Sequence, residues 1–314
     1  PPETVVDGAL MNFAAITEKV RELVTANRIK TKDVCVSVSG HSVIIKKISL
    51  PEMTSEELEE SIQWEAEQYI PFDIKDVNVD VQIINPQAGQ GQMDVLLVAA
   101  KKDVIHDYVS VVNDAGLRAQ VVDVDTFAIQ NAFELNYGYP ASETIALVNV
   151  GASVININVV ADGMTTFTRD ISMGGGLLTS EIQKHLNVSF EEAEHYKTAG
   201  EGNITNSTIA REVTALSEKV SQTLVTEIQR SLDFYAATTV NADIARLYLS
   251  GGSAQIPTLV RTLERNLEVP VELVNPFKNI LIDPRRFDVD LLQRMAPVAA
   301  VVVGLGLRKP GDRA

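Results

Sequence analysis

Leu247-Tyr248-Leu249-Ser250-Gly251-Gly252-Ser253-Ala254 is the stretch on which the fold turns. An apolar run ends in two glycines and a helix-like run, residues 255–267, follows, so the order is strand, glycine turn, helix. Adjacent glycines carry no Cβ, which lets the backbone approach a ligand closely. The free N–H groups opening the next helix then face whatever occupies the turn and favour an anion. One such turn is a weak signal. Two more stand upstream behind extended segments, at Gly151 and at Gly174-Gly175-Gly176. Together the three predict one nucleotide site assembled from distant parts of the chain.

Reading outward from there, the first half alternates strands and helices. Phe13, Ile16, Val20, Leu23 and Val24 recur at helical spacing. Val34, Val36 and Val38 alternate as in a strand that stops at Gly40, and residues 43–50 form a second strand stopped by Pro51. Thr54 and Glu57 make a capping box that opens a helix through Trp64 to about residue 69, ended by Pro71. Its charged face (Glu56, Glu59, Glu60, Glu67) reads as solvated surface, with a basic partner as the alternative. Trp64 is expected in core or interdomain packing, with a partner groove second. Residues 77–84 and 93–100 alternate as two strands around a polar segment, 85–92, read as a flexible hairpin loop. Residues 42–100 therefore make a small strand–helix–strand–strand module. A helix (104–115), a strand (119–124) and a helix (126–137) close the first half.

The second half restarts with strands at 144–150, 154–160 and 164–171, the last two joined at Asp162-Gly163, a strong hairpin signal. Helices dominate from 177 to 237, and a strand, a helix, a short strand (271–274) and a terminal helix finish the chain. Hairpins mixed with crossover helices, in two successive halves, indicate an α/β protein of two lobes.

Composition narrows the function. A chain of 314 residues suggests two lobes or several subdomains. A net charge of −15 argues against non-specific nucleic-acid binding and against a broad electrostatic membrane surface. Cys35 is the only cysteine, so no internal disulfide and no thiolate metal site exists; it reads as a buried strand residue. His41, His106, His185 and His195 lack metal-binding spacing, and neither a Walker A loop nor a Gly-x-Ser-x-Gly elbow occurs. The longest apolar run, 295–307, is too short to span a bilayer and reads as a buried terminal helix, with a membrane or partner contact as the alternative.

Six segments then fall into a known order: Leu147-Val148-Asn149-Val150-Gly151-Ala152-Ser153, Ser172-Met173-Gly174-Gly175-Gly176-Leu177-Leu178-Thr179, Glu192-Ala193-Glu194-His195-Tyr196-Lys197, Leu249-Ser250-Gly251-Gly252-Ser253-Ala254, Asp123-Val124-Asp125-Thr126-Phe127-Ala128 and Met295-Ala296-Pro297-Val298-Ala299-Ala300. In order and spacing they resemble the actin-like ATPase superfamily and, within it, the PilM family, which is similar to FtsA. The resemblance covers nearly the whole chain. It implies two lobes around an ATP cleft, each a mixed sheet flanked by helices, with an extra subdomain on the first lobe. The chain would divide into first lobe (1–41), extra subdomain (42–100), first lobe (101–143), second lobe (144–185), helical subdomain (186–240), second lobe (241–284) and a closing helix of the first lobe (285–314).

The same resemblance implies site residues. Gly151, Ala152 and Ser153 would form the second phosphate loop, their N–H groups making an anion nest. Asn149 stands where the family usually has an Asp that orients Mg²⁺ through water, and a neutral amide there implies weak or no hydrolysis. Gly174, Gly175 and Gly176 would lie near ribose and phosphates or, alternatively, simply make the tight turn that starts a helix. Glu194 and Lys197 would contact ribose and adenine or, alternatively, make an exposed ion pair. Gly251 and Gly252 would pass beneath the adenosine, with Ser253 and Ala254 opening the next helix. Asp125 would orient a catalytic water or cation, or serve with Thr126 as a helix cap. The family's first phosphate loop, Asp-x-Gly-x-x-Ser followed by Lys, does not occur before Phe13. The chain opens with Pro1-Pro2, so its N-terminal hairpin is expected to be missing.

The function implied is a cytoplasmic ATP-binding scaffold of type IV pilus assembly at the inner-membrane face. It would hold the cytoplasmic N-terminal tail of PilN in a groove between first lobe and extra subdomain. It would act indirectly on the PilO/PilN membrane complex, the platform protein PilC and the motor ATPases. The alternatives are an FtsA-like filament-forming ATPase, disfavoured because no amphipathic tail follows Leu307, and a small-molecule kinase of the same superfold, disfavoured for want of a substrate loop.

Overall fold

The computed structural model describes residues 4–6, 8–140, 142–199, 204–240 and 242–312. Pro1-Pro2, weighed above, and Arg313-Ala314 lie outside the described residues. The chain starts with a short antiparallel hairpin, β1 (Val5–Val6) and β2 (Ala9–Leu10), which no periodicity announces. The Tyr108 hydroxyl donates to the Gly8 carbonyl (2.8 Å) and pins its turn. Helix α1 (Phe13–Ala26) follows, capped by the Asn12 side chain, which accepts from the Ala15 N–H. Strand β3 (Asp33–Val38) leads through a 3-10 turn at Gly40–Ser42 into β4 (Val43–Pro51).

The module predicted at 42–100 is a three-stranded antiparallel sheet in the order β4-β6-β5, covered by α2 (Ser55–Glu67); β5 is Val77–Gly89 and β6 is Gln92–Lys101. Met93, Val95, Leu97 and Ala99 of β6 alternate inward against Leu58, Ile62 and Ala66 of α2, at i, i+4 and i+8. Two expectations change here. The segment read as a flexible loop is mostly strand: β5 continues to Gly89 and turns within two residues, Gln90 and Gly91, both at positive φ (57° and 72°). Pro86 survives inside β5 because β5 is an edge strand, where a missing N–H costs no ladder bond. Trp64, in turn, is neither core nor interdomain: it is 78% exposed. Two residues beyond Ile62 on a helix of 100° per residue, it stands on the far side from the buried stripe.

Helix α3 (Lys102–Asp114) returns to β7 (Arg118–Val124), which pairs in parallel with β3 to make a two-stranded sheet. Helix α4 (Asp125–Tyr137) then enters the second half. There β8 (Thr144–Val150), β9 (Ile155–Ala161) and β10 (Met164–Ile171) form a meander. The helices α5 (Gly176–Leu186), α6 (Phe190–Ala199) and α7 (Ser207–Thr238) follow. Strand β11 (Ile244–Ser250) inserts parallel to β8, and after α8 (Pro257–Leu267) strand β12 (Val271–Leu273) completes the order β10-β9-β8-β11-β12. The sheet is nearly solid apolar on its helix-covered face: Val148, Val150, Ile155, Ile157 and Leu249 are fully buried against Val220, Leu224 and Ile228 of α7.

The terminal run differs from its expectation. It is a 19-residue helical stretch, Val289–Leu307, and by length and composition alone it is long and apolar enough to cross a membrane. It comprises α9 (Val289–Met295), a 3-10 turn at Ala296–Ala299 and α10 (Ala300–Leu307). It is not buried throughout: Ala300 and Gly304 are buried, whereas Val302 is 65% exposed. Gly304 is the contact point, since a Cβ there would sit 1.7 Å from the Ala128 carbonyl oxygen of α4. Helices α4 and α10 thus pack as a pair, α4 reaching strands of both sheets, and they join the two lobes.

Candidate functional site

The three glycine turns converge. The Gly175 N–H donates to the Gly151 carbonyl (2.9 Å), the Gly176 N–H to the Ala152 carbonyl (2.8 Å), and the Ser253 hydroxyl to the Gly151 carbonyl (3.0 Å). Parallel pairing of β8 with β11 brings this about, because it sets Ser250 beside Asn149 and so aligns the turns that follow the two strands. Most of the glycines serve this mutual contact. A Cβ on Gly174 would lie 2.4 Å from the Gly151 oxygen, one on Gly175 2.1 Å from Ser253 Oγ, and one on Gly251 2.4 Å from the Val150 oxygen. Gly251 also has φ +93°, a backbone that side chains rarely adopt. Gly252 is the exception, with nothing within 4 Å of where its Cβ would stand, so it fronts open space.

A nucleotide's phosphates would need unused donors here. Among the described residues the N–H groups of Ala152, Ser153 and Gly252 have no protein acceptor, and the Ala152 and Ser153 side chains are exposed. Open donors beside an open glycine fit an anion. Mg²⁺ fits less well. Among the described residues no three His, Cys, Asp or Glu could hold a metal. Asn149 is buried with both ends of its carboxamide engaged: Nδ2 donates to Asn156 Oδ1 (3.0 Å) and Oδ1 accepts from Ser250 Oγ (3.2 Å). A cation in this crevice would rest chiefly on phosphate oxygens.

Glu194 and Lys197 pair at 2.6 Å. They also meet Thr179, which donates to Glu194 and lies 2.9 Å from Lys197 Nζ. This buried threonine sits one turn into α5, the helix that Gly174–Gly176 opens, so the ion pair ties α6 to the glycine turn. Asp125 stands apart. It is the first residue of α4, next to the N-cap Val124, and it accepts from the Ser37 hydroxyl (2.5 Å). Burial raises its carboxyl above the ordinary range, and hydrogen bonds from Ser37 and Ser39 offset part of the rise.

Sequence reasoning missed the polar residues behind the turns. Asn156 Nδ2 donates to Asp170 Oδ1 (2.9 Å), and Asp170 Oδ2 accepts from the Gly40 N–H (2.7 Å) of the first half. Two asparagines, 156 and 158, inside an otherwise apolar strand were the available signal, since buried amides need partners. Between the module and the β3–β7 sheet, where the resemblance implied a groove, lies a cavity of about 690 Å³. Leu96, Val98 and Ala100 of β6, flanked by Asn78, Asp80 and Gln82 of edge strand β5, form the module side, and Val122 and Phe127 form the other. At its floor Arg308 Nε lies 3.3 Å from Asp123 Oδ2, and neither atom has a hydrogen-bond partner. Burial raises the Asp123 carboxyl, the Val124 N–H and Arg308 oppose the rise, and Asp125 adds to it.

The family described as "Type IV pilus assembly protein PilM" matches residues 1–310. A solved PilM-PilN type IV pilus biogenesis complex aligns with TM-score 0.86 and 28% identity, over 98% of this chain and 88% of that one. Two structures share the fold alone. They are the ethanolamine utilization protein EutJ from Carboxydothermus hydrogenoformans (TM-score 0.56, 17% identity, 97% of this chain and 77% of that one) and MreB5 of Spiroplasma citri bound to ADP (TM-score 0.50, 10%, 97% and 77%). The cell division protein FtsA of Bacillus subtilis (strain 168) is 23% identical over 205 residues, 59% of this chain, and the match spans less than half (45%) of FtsA's own length. On a family match across almost its full length and a two-lobed actin-like fold, this chain belongs to the PilM family of type IV pilus assembly proteins.

Proposed function

We propose that this chain is a nucleotide-dependent scaffold that holds an extended peptide, the cytoplasmic N-terminal tail of a PilN-type membrane protein, in the groove between the module and the first lobe. The groove itself carries the proposal: about 690 Å³, with apolar side chains from both sides (Leu96 and Val98, Val122 and Phe127) and polar ones along the bordering edge strand. An extended chain lies along such an edge, taking affinity from main-chain hydrogen bonds and specificity from the pockets. At Val81 the edge N–H is held by the neighbouring Asp80 carboxylate (2.8 Å). The likeness to the PilM-PilN complex supports the choice of partner.

In this proposal ATP sits in the crevice of converging turns, its phosphates on the N–H groups of Ala152, Ser153 and Gly252, with Glu194 and Lys197 toward the ribose and base. Hydrolysis is weak or absent because Asn149 brings no charge. ATP acts by setting the angle between lobes, and it shifts that equilibrium only as far as its differential affinity for the two arrangements allows. The module at 42–100 and the first lobe form one functional unit at the cytoplasmic face of the inner membrane, and other pilus components are reached through the PilN-type partner.

Titration of a synthetic tail peptide from the co-encoded PilN-type protein tests this. Micromolar or tighter binding is expected, and no binding to any such tail overturns the proposal. FtsA-like filament assembly is a second reading, favoured by the similarity to FtsA; ATP-dependent pelleting would support it.

A further inference from the structure

Four hydrogen bonds lead from the glycine crevice to the seam between the lobes. Ser250 Oγ donates to Asn149 Oδ1, Asn149 Nδ2 to Asn156 Oδ1, Asn156 Nδ2 to Asp170 Oδ1, and the Gly40 N–H to Asp170 Oδ2. Ser250, Asn149 and Asn156 are 0%, 8% and 3% exposed, so bulk water does not compete for these bonds. Asp170 fixes the polarity of the whole series. An ionised carboxylate only accepts, so Asn156 must turn its NH₂ toward it and its oxygen toward Asn149. Asn149 must then donate to Asn156, which leaves its own oxygen for Ser250. Reversing any amide puts oxygen against oxygen or NH₂ against NH₂ at the next link.

The far end of the series sits where movement would matter. Gly40 is buried at φ +80° between the end of β3 and the start of β4. Val38, two residues earlier, lines the groove, and β4 is a strand of the module. The same seam carries two further bonds, Ser172 Oγ with His41 Nε2 (2.7 Å) and Thr168 Oγ1 to the Ile45 carbonyl (3.3 Å). The ionisable groups facing Asp170 are Asp125 from α4 and His41 from the 3-10 turn.

We propose that Asp170 is a positioning residue: it latches the second lobe onto Gly40 and, through Asn156 and Asn149, couples the state of the glycine crevice to the shape of the peptide groove. A ligand in the crevice that shifts the turns after β8 and β11 lengthens or tightens the Ser250–Asn149 bond, and hydrogen bonds in series strengthen or weaken together, so the hold on Gly40 changes with it. The latch rests on the two-site function proposed above and supplies its regulation.

The test uses the full chain and the substitution Asp170→Asn, which is nearly isosteric but leaves one oxygen to serve two donors. Tail-peptide affinity is measured by calorimetry with and without ATP, and exchange of the Gly40 amide is measured without any ligand. In the parent protein ATP is expected to change peptide affinity by at least about fivefold, within the usual range of coupling between sites. In Asp170→Asn that ratio falls to within about twofold and the Gly40 amide exchanges at least tenfold faster. The surface variant His41→Ala, which keeps Asp170 but removes the neighbouring bond, lowers the ratio partway and covers the case in which Asp170→Asn does not fold. If the parent binds both ligands with coupled affinities and neither variant alters the ratio, the latch is wrong and the scaffold function stands. If the parent binds both ligands independently, the latch is also wrong. If the parent fails to bind the peptide or ATP, the scaffold function falls and takes the latch with it.

Discussion

At the residue scale, the glycines of the crevice divide into two kinds, and substitution separates them. Gly175 is enclosed, and the methyl group of Gly175→Ala would meet Ser253 Oγ and break the bond from Ser253 to Gly151. Overpacking of this kind costs about 1–3 kcal/mol, so denaturant unfolding should show a loss of that size. Gly252 faces open space, and Gly252→Asp should change stability by no more than about 0.5 kcal/mol, as surface substitutions do. It should nonetheless abolish ATP binding, because a carboxylate would stand against phosphate; unchanged ATP affinity would remove Gly252 from the site. Trp64 belongs to the same scale. As the single tryptophan of the chain and 78% exposed, it should emit as a hydrated indole, and Trp64→Ala should leave the unfolding midpoint nearly unchanged. A blue-shifted emission would show that the side chain is covered.

At the scale of elements, two contacts decide how pieces hold together. Helix α10 meets α4 through Gly304, so Gly304→Ala must push the helices apart; a destabilisation at the upper end of about 1–3 kcal/mol is expected, readable as a lowered melting temperature. In the module, Asp94 of β6 holds Lys47 of β4 (2.8 Å) and accepts from the Ser49 hydroxyl (2.7 Å). Burial alone would push the Asp94 carboxyl upward, but the bonds from Lys47 and Ser49 prevail and hold it below the ordinary range. A lowered acid stabilises the folded state above its unfolded pKa of about 3.9, and the contribution disappears as pH falls through the lower folded value. Lys47 is 39% exposed, so the effect is modest, about 1 kcal/mol. Asp94→Asn should therefore flatten the acid limb of a melting-temperature profile below about pH 4 and change little in its slope above pH 5; an unaltered acid limb would mean the pair contributes nothing.

For the whole molecule, a polar series links the crevice to the residues beside the groove, and coupling between the two is the consequence proposed for it. Substituting Val98→Asp in the groove wall should weaken tail-peptide binding at least tenfold, because a charge would stand against apolar side chains, while ATP binding stays intact. Loss of both activities would point to misfolding instead of a groove contact. Much of the molecule was legible beforehand: the module at 42–100, the meander joined at Asp162-Gly163 and the three glycine turns all appear where periodicity and turn residues put them. Local signals sufficed there because each element buries a face whose spacing is written in consecutive residues. The hairpin at Val5–Leu10 escaped because two-residue strands have no period to detect. Trp64 escaped because aromatic character suggests burial, whereas its angular position relative to Leu58, Ile62 and Ala66 assigns it to the solvent side.

The amino-acid sequence by itself determined the kind of protein this is: strand–turn–helix units in two halves, small residues where chain segments must approach, and the family pattern these make together. Only the tertiary structure decided which glycines are packed by their own neighbours and which one stays open, because that depends on β8 and β11 lying parallel although 101 residues separate Asn149 from Ser250. It likewise decided that Asn149 looks inward to Asn156 and Asp170, and that Asp170 reaches Gly40 across 130 residues of chain. A hydrogen bond depends on a fraction of an ångström and on the direction of a lone pair, and side chains so far apart in the chain acquire both only when the sheets have packed.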